Sequence, residues 1–185
     1  EQIATRSIAN KDMPINLKQE LAKQIPSIKK KNLSYADYAK KSIQEIFSSD
    51  VINSSLVKTA VIQESVVAIN EGNGNFKIKK LPTPVQFSSV NAICVKDVNN
   101  DGILDLILGG NEYEFKPQFG RLDASHGSVL LGNKNGDFST LSYANSGFFI
   151  NGVVKKIKCV KNKNNTTAVL AVVNNNTPKL FISNE

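Results

Sequence analysis

"VKDVNNDGILDLILGGN", residues 95–111, decides how this chain is read. Asp97, Asn99 and Asp101 put oxygen-bearing side chains at alternate positions, and Asp105 adds another carboxylate just before Leu106-Ile107-Leu108. A Ca²⁺ ion takes ~6–8 oxygen ligands, and a tight loop can supply several of them from alternate positions. Gly102 allows the sharp turn and Ile103 offers its backbone carbonyl. An EF-hand would need glutamate at the twelfth position, where this chain has Leu108 within an apolar run. The stretch therefore predicts a calcium-clamped β-turn at Asp97, Asn99, Asp101, Ile103 and Asp105. The alternative is an ordinary Asn/Asp turn without metal, which these residues also favour.

Outward from that loop, the chain reads as strands. Short runs rich in Val, Ile and Leu are expected as strands at 65–70, 76–81, 91–95, 104–108, 128–131, 153–159 and 168–173. Gly/Asn turns separate them, which indicates an antiparallel all-β architecture. "INEGNGNF" (69–76) and "LGNKNGDF" (131–138) are offset by 62 residues and share an apolar start, an Asn-Gly pair and a closing Phe. A repeat of that length, holding about four strands, is the size of a propeller blade with an inserted loop. About two such blades are expected over 55–185, too few to close a ring of ~4–8. The chain therefore reads as a piece of a longer protein, at its C-terminal end. Sliding the repeat by 63 residues sets Val160, Asn162, Asn164 and Ala168 opposite Asp97, Asn99, Asp101 and Asp105. The carboxylates vanish while the apolar strand stays, so calcium reads as a local staple.

Before about residue 55 the period is helical. Asn16 is expected to cap a helix through Gln24 that Pro26 ends, and Ser34 with Asp37 opens a second helix to about Phe47. Tyr35, Tyr38, Ala39, Ile43, Ile46 and Phe47 make a stripe at helical spacing, the pattern of a helix packed on a larger body. Domains are thus expected at 1–54 (helical) and 55–185 (β).

Composition excludes several classes. The chain has 185 residues and net charge +7, but its lysines fall in scattered groups (29–31, 79–80, 155–156) without interleaved aromatics. That is solvated surface, and no nucleic-acid partner is expected. No window approaches the ~18 apolar residues of a membrane span. Cys94 and Cys159 are too few for a disulfide framework. Lying in equivalent strands of neighbouring blades, they are expected to stand too far apart to pair.

"DVNNDGILDLILGGN" resembles the Asp-x-Asn-x-Asp-Gly-x-x-Asp calcium motif of FG-GAP/VCBS repeat proteins, bacterial relatives of the integrin-alpha propeller. "QIPSIKKKNLSYADYAKKSIQEIF", "LPTPVQFSSVNAICVKDVNNDG" and "KPQFGRLDASHGSVLLGNKNGDF" extend the similarity to the C-terminal part of large VCBS repeat proteins common in Bacteroidetes. The resemblance implies a seven-bladed-type propeller, with the helical segment inserted between blades. It implies an extracellular or cell-surface location, associated with the outer membrane of a Gram-negative bacterium. Calcium positions carry over to Asp97, Asn99, Asp101 and Asp105, with the Ile103 carbonyl. Leu122 and His126 depart from the tyrosine that such proteins more often carry.

"FGRLDASHG" (119–127) gathers Arg121, Asp123, Ser125 and His126. A Ser–His–Asp hydrolase site is disfavoured, because triad partners come from distant segments and Ser125 lacks a nucleophile elbow. The bland reading is an Arg–Asp pair that orders the loop, and the sharper one is a ligand surface of Tyr113, Arg121, Asp123 and His126. The expected function is a non-catalytic, calcium-stabilised segment that binds protein or glycan, on the family analogy as a subunit of an outer-membrane nutrient-uptake complex. Its partners would be other blades of the same larger protein or a partner chain, outer-membrane proteins or glycan. The alternative is a polysaccharide-acting enzyme or accessory propeller, needing a carboxylate pair ~5–9.5 Å apart among Glu112, Glu114 and Asp123.

Overall fold

The computed structural model describes residues 2–161 and 167–182. The chain divides into two compact units, residues 1–61 and 62–185.

The first unit opens with an antiparallel hairpin of β1 (Thr5–Ile8) and β2 (Lys11–Pro14), which the sequence reading did not anticipate. Five short helices follow: α1 (Lys18–Gln24), α2 (Ser27–Lys31), α3 (Tyr35–Ala39), α4 (Ile43–Ile46) and α5 (Ser49–Asn53). Leu17, not Asn16, holds the N-cap of α1, because the Asn16 side chain accepts from the Ala4 N–H instead. Ser34 does cap α3, accepting from the Asp37 N–H at 2.9 Å. The single helix expected to reach Phe47 is broken after Ala39. There Ser42 starts a new capping box with Glu45, whose carboxylate accepts from the Ser42 N–H at 2.8 Å. Leu21, Ile28, Tyr38 and Ile46 form this unit's buried core. Burial, with Glu20 second, pushes the Tyr38 phenol above its ordinary value, and its hydroxyl donates to the Asn16 carbonyl at 2.9 Å.

The second unit is mainly β, and every strand pairing in it is antiparallel. Its first sheet is the hairpin β3 (Val66–Gly72) and β4 (Asn75–Lys80). The second is a four-stranded meander of β5 (Val90–Lys96), β6 (Asp105–Gly110), β7 (Ser128–Gly132) and β8 (Phe138–Leu141). A short helix, α6 (Tyr143–Ser146), leads to the third sheet of β9 (Val154–Lys161), β10 (Thr167–Val173) and β11 (Lys179–Ile182). The expected strands are all present within a residue or two. β8 and β11 went unread, each being only four residues long.

The second sheet is covered on both faces, and its residues alternate accordingly. Leu108 and Leu130 join Leu81 and Val85 in one buried cluster, against which Val67, Leu106 and Phe138 also pack. Ala92, Ile107 and Val129 join Val154, Ile157, Ala171 and Val173 in the other. The first sheet thus lies on its backward face and the third on its forward face. Gly109 is required here, since a Cβ would lie 2.5 Å from the Val154 side chain. A strand buried on both faces reads as a continuous apolar run, which explains Leu106-Ile107-Leu108.

One expectation fails. Cys94 and Cys159 are joined in a disulfide, with Cα atoms 6.3 Å apart. They do lie in corresponding strands of successive sheets, but one residue out of phase. Val95, not Cys94, pairs with Leu106 as Cys159 pairs with Val169. Cys94 therefore faces forward from β5 while Cys159 faces backward from β9, and both pack on the same cluster. The crosslink closes a 65-residue separation. Restricting the unfolded chain that much is worth about 4 kcal/mol in the chain-entropy picture. Reduction with dithiothreitol should lower the unfolding free energy of the second unit by about 2–4 kcal/mol, read from the shift of its denaturant midpoint. An unfolding curve indifferent to reductant would contradict the crosslink.

Candidate functional site

The loop 97–104 joins β5 to β6 at one end of the second sheet, and its oxygens are turned onto its own backbone. Asp97 accepts from the Asp101 N–H through Oδ1 (3.2 Å) and from the Gly102 N–H through Oδ2 (2.9 Å). Asn99 Oδ1 accepts from the Asp101 N–H, and Asp101 Oδ1 from the Ile103 N–H at 2.7 Å. Asn99 Nδ2 donates to Asp101 Oδ2 at 2.8 Å. Asn100 (φ 58°) and Gly102 (φ 83°) take the left-handed backbone that such a tight loop needs and that Asn and Gly tolerate best.

Asp105 differs from the rest, being wholly buried at the first position of β6. Its Oδ2 accepts from the Val98 N–H and its Oδ1 from the Gly132 N–H at the end of β7, both at 2.8 Å. One carboxylate thus ties the start of the loop to the neighbouring strand. A buried charge is tolerated only with such partners.

The donor chemistry suits a hard cation, since three carboxylates, an amide oxygen and a backbone carbonyl are all oxygen ligands. Their present arrangement is looser than a cage: among the described residues no three His, Cys, Asp or Glu gather closely enough to hold a metal ion. Backbone N–H groups supply the positive partial charge in this arrangement. In the third sheet, Asn162 and Asn164 lie outside the described residues, while Ala168 takes the place of Asp105 and is likewise buried.

At the other end of the sheet, residues 111–127 connect β6 to β7. Glu112 and Leu122 exchange both backbone hydrogen bonds, which folds this connection into a small hairpin. Tyr113, Arg121 and Asp123 come together on it. The Arg121 guanidinium lies 4.8 Å from the Tyr113 ring centroid, and its Nε donates to Asp123 Oδ2 at 3.0 Å. All three side chains are exposed, so the pair orders the loop without much energy. His126 keeps other company, stacked on Phe149 at 4.5 Å with Tyr143 edge-on to both rings. Its Nδ1 is buried and makes no hydrogen bond. Ser125 Oγ accepts from the Gly127 N–H at 3.2 Å. Glu112 accepts from the Glu114 N–H at 2.9 Å, which leaves Asp123 with its arginine.

Sequence reasoning missed Asn111, which is 1% exposed and anchors this whole end. Its Oδ1 accepts from Ser88 Oγ and the Ser125 N–H, and its Nδ2 donates to the Ser125 and Gly152 carbonyls. Three connections are pinned by one amide. The available sequence signal is an Asn closing an apolar strand after two glycines, which suits the left-handed backbone it adopts (φ 77°).

Comparison with protein-family models, curated proteins and solved structures finds no match to this chain.

Removing the Asp105 acceptor strands two backbone N–H groups in the interior. Asp105→Ala should cost about 3 kcal/mol in urea unfolding, with Asp105→Asn falling between it and the wild type. A change below ~0.5 kcal/mol, as at ordinary surface sites, would contradict the role given to this side chain.

Proposed function

We propose that the chain is a non-catalytic segment of a calcium-stabilised propeller of the FG-GAP/VCBS kind, which presents a binding surface outside the cell. The observation that carries this reading is an equivalence of faces. β3–β4 and β7–β8 share one register at an offset of 62, so Phe76 corresponds to Phe138. Phe138 packs on the first sheet, whereas Phe76 is 56% exposed. At the other side, Leu170 and Leu180 pair across β10–β11 as Ile107 and Val129 pair across β6–β7. Ile107 and Val129 are buried against the third sheet, whereas Leu180 is 58% exposed. Each free face of the stack therefore repeats a face that is covered one sheet further along. Repeats of this kind bury such faces against like neighbours. Further blades, from the same longer protein or a partner chain, would complete the ring, with residues 1–54 as a helical insertion.

In this reading Asp97, Asn99, Asp101 and the Ile103 carbonyl hold calcium together with Asp105, and the ion neutralises a crowded acidic loop at the mouth of β6. The disulfide supports an extracellular setting, since such crosslinks persist in oxidising compartments. Glycan or protein at an outer membrane is the partner that the family resemblance suggests.

If the free faces are complementary, copies of the chain associate head to tail, through unlike surfaces. Sedimentation velocity should show mass rising with concentration, and Phe76→Lys and Leu180→Lys should each weaken it. Mixing the two variants should restore a dimer, because each retains the face that the other lacks. A monomer at every concentration, or a dimer untouched by either substitution, would contradict the proposal.

A further inference from the structure

The aromatic side chains of the second unit are unevenly placed. Seven of them are 40–59% exposed: Phe76, on β4, and Phe87, Tyr113, Phe115, Phe119, Tyr143 and Phe149. The last six lie on the connections 81–89, 111–127 and 142–153. The strand registers bring these connections to one end of the second sheet: Val90 lies opposite Gly110, Leu108 opposite Ser128, and Val129 opposite Leu141. The acidic loop 97–104 and the turn 133–137 occupy the opposite end, which carries no aromatic residue in either segment.

This end is also built rather than loose. Asn111 braces all three connections, through Ser88, Ser125 and Gly152. Phe148 and Ile150 are buried at 3% and 0%, which leaves Phe149 between them facing outward at 43%. His126 backs Phe149 in a stack, and Tyr143 stands perpendicular 5.3 Å away. The ring positions are thus fixed before any partner arrives.

Two of its three connections are neutral. Residues 81–89 and 142–153 hold no charged side chain, although charged residues make up 21% of the chain. The 111–127 hairpin carries Glu112, Glu114, Lys116, Arg121 and Asp123, of which the last two are spent on each other. Around Tyr143 and Phe149 the exposed polar side chains of 142–153 are Ser142, Asn145 and Asn151. Rigid aromatics set among serine, asparagine and glycine give adaptable recognition of neutral partners at little entropic cost.

We propose that this end of the second unit binds a neutral carbohydrate, with Tyr143 and Phe149 as the stacking rings. A pyranose offers an apolar C–H face with slight positive charge, which complements the negative face of an aromatic ring. Its hydroxyls both donate and accept, as do serine and asparagine side chains. An acidic sugar or a charged peptide would find no free counter-charge on 81–89 or 142–153. The inference rests on the non-catalytic binding reading, but not on calcium or on further sheets, whose tests read other surfaces.

Affinity electrophoresis of the full chain provides the test, in native gels containing dextran, laminarin, mannan or xylan, with polygalacturonate as the acidic comparison. At least one neutral polymer should retard the chain, and polygalacturonate should not. Tyr143→Ala and Phe149→Ala should each weaken retardation at least tenfold while keeping the wild-type melting temperature, and Tyr143→Phe should retain it. If either alanine variant unfolds, Tyr143→Leu and Phe149→Leu serve in its place, keeping bulk without the ring. No retardation by any neutral polymer, retardation by polygalacturonate alone, or retardation that survives loss of both rings would each overturn the proposal.

Discussion

Asp105 is the contact on which the second unit turns. A carboxylate at the first position of a strand buried on both faces would be costly if left alone. It is tolerated because its two oxygens take the Val98 and Gly132 N–H groups, from the loop before it and the strand beside it. The apolar run can therefore begin at once, and Leu106, Ile107 and Leu108 feed alternate clusters on the two sides of the sheet. The chemistry at the mouth of β6 and the hydrophobic core are one construction.

The sheets on either side of the second sheet are fastened to it differently. The first and second sheets are joined by packing and by Lys79, whose Nζ donates to the Asn135 carbonyl and Asp137 across the gap. The second and third are joined by packing and the Cys94–Cys159 crosslink. Where the third sheet has Ala168 in place of Asp105, no carboxylate clamp is possible, and the covalent bond lies one pair away on the same strands. Stacked sheets can vary their staples in this way because each needs only to bury its faces against its neighbours.

The strands were legible because their apolar runs are long and bounded by Gly/Asn turns. Their facing was not, since a one-residue shift between β5 and β9 turns Cys94 toward Cys159 and cannot be read from a repeat offset alone. In the first unit, Ser34 and the helical stripe were legible, but the break after Ala39 was hidden by a continuous pattern that Ser42 and Glu45 interrupt. At the candidate site, the spacing of Asp97, Asn99, Asp101 and Asp105 marked the loop correctly as a tight turn. That the same oxygens would first serve backbone N–H groups depends on the fold. Asn111, Tyr143 and Phe149 gave no motif; they matter through the meeting of connections far apart in sequence.

We propose the crowded acidic loop as a calcium staple for this sheet. Isothermal calorimetry of the full chain with calcium chloride tests it most directly, paired with melting in calcium and in EDTA. One ion should bind per chain and calcium should raise the melting temperature, with both effects lost in Asp101→Ala. No binding heat and an unchanged melting temperature at millimolar calcium, where even weak extracellular sites of ~10⁻⁴–10⁻³ M fill, would contradict it.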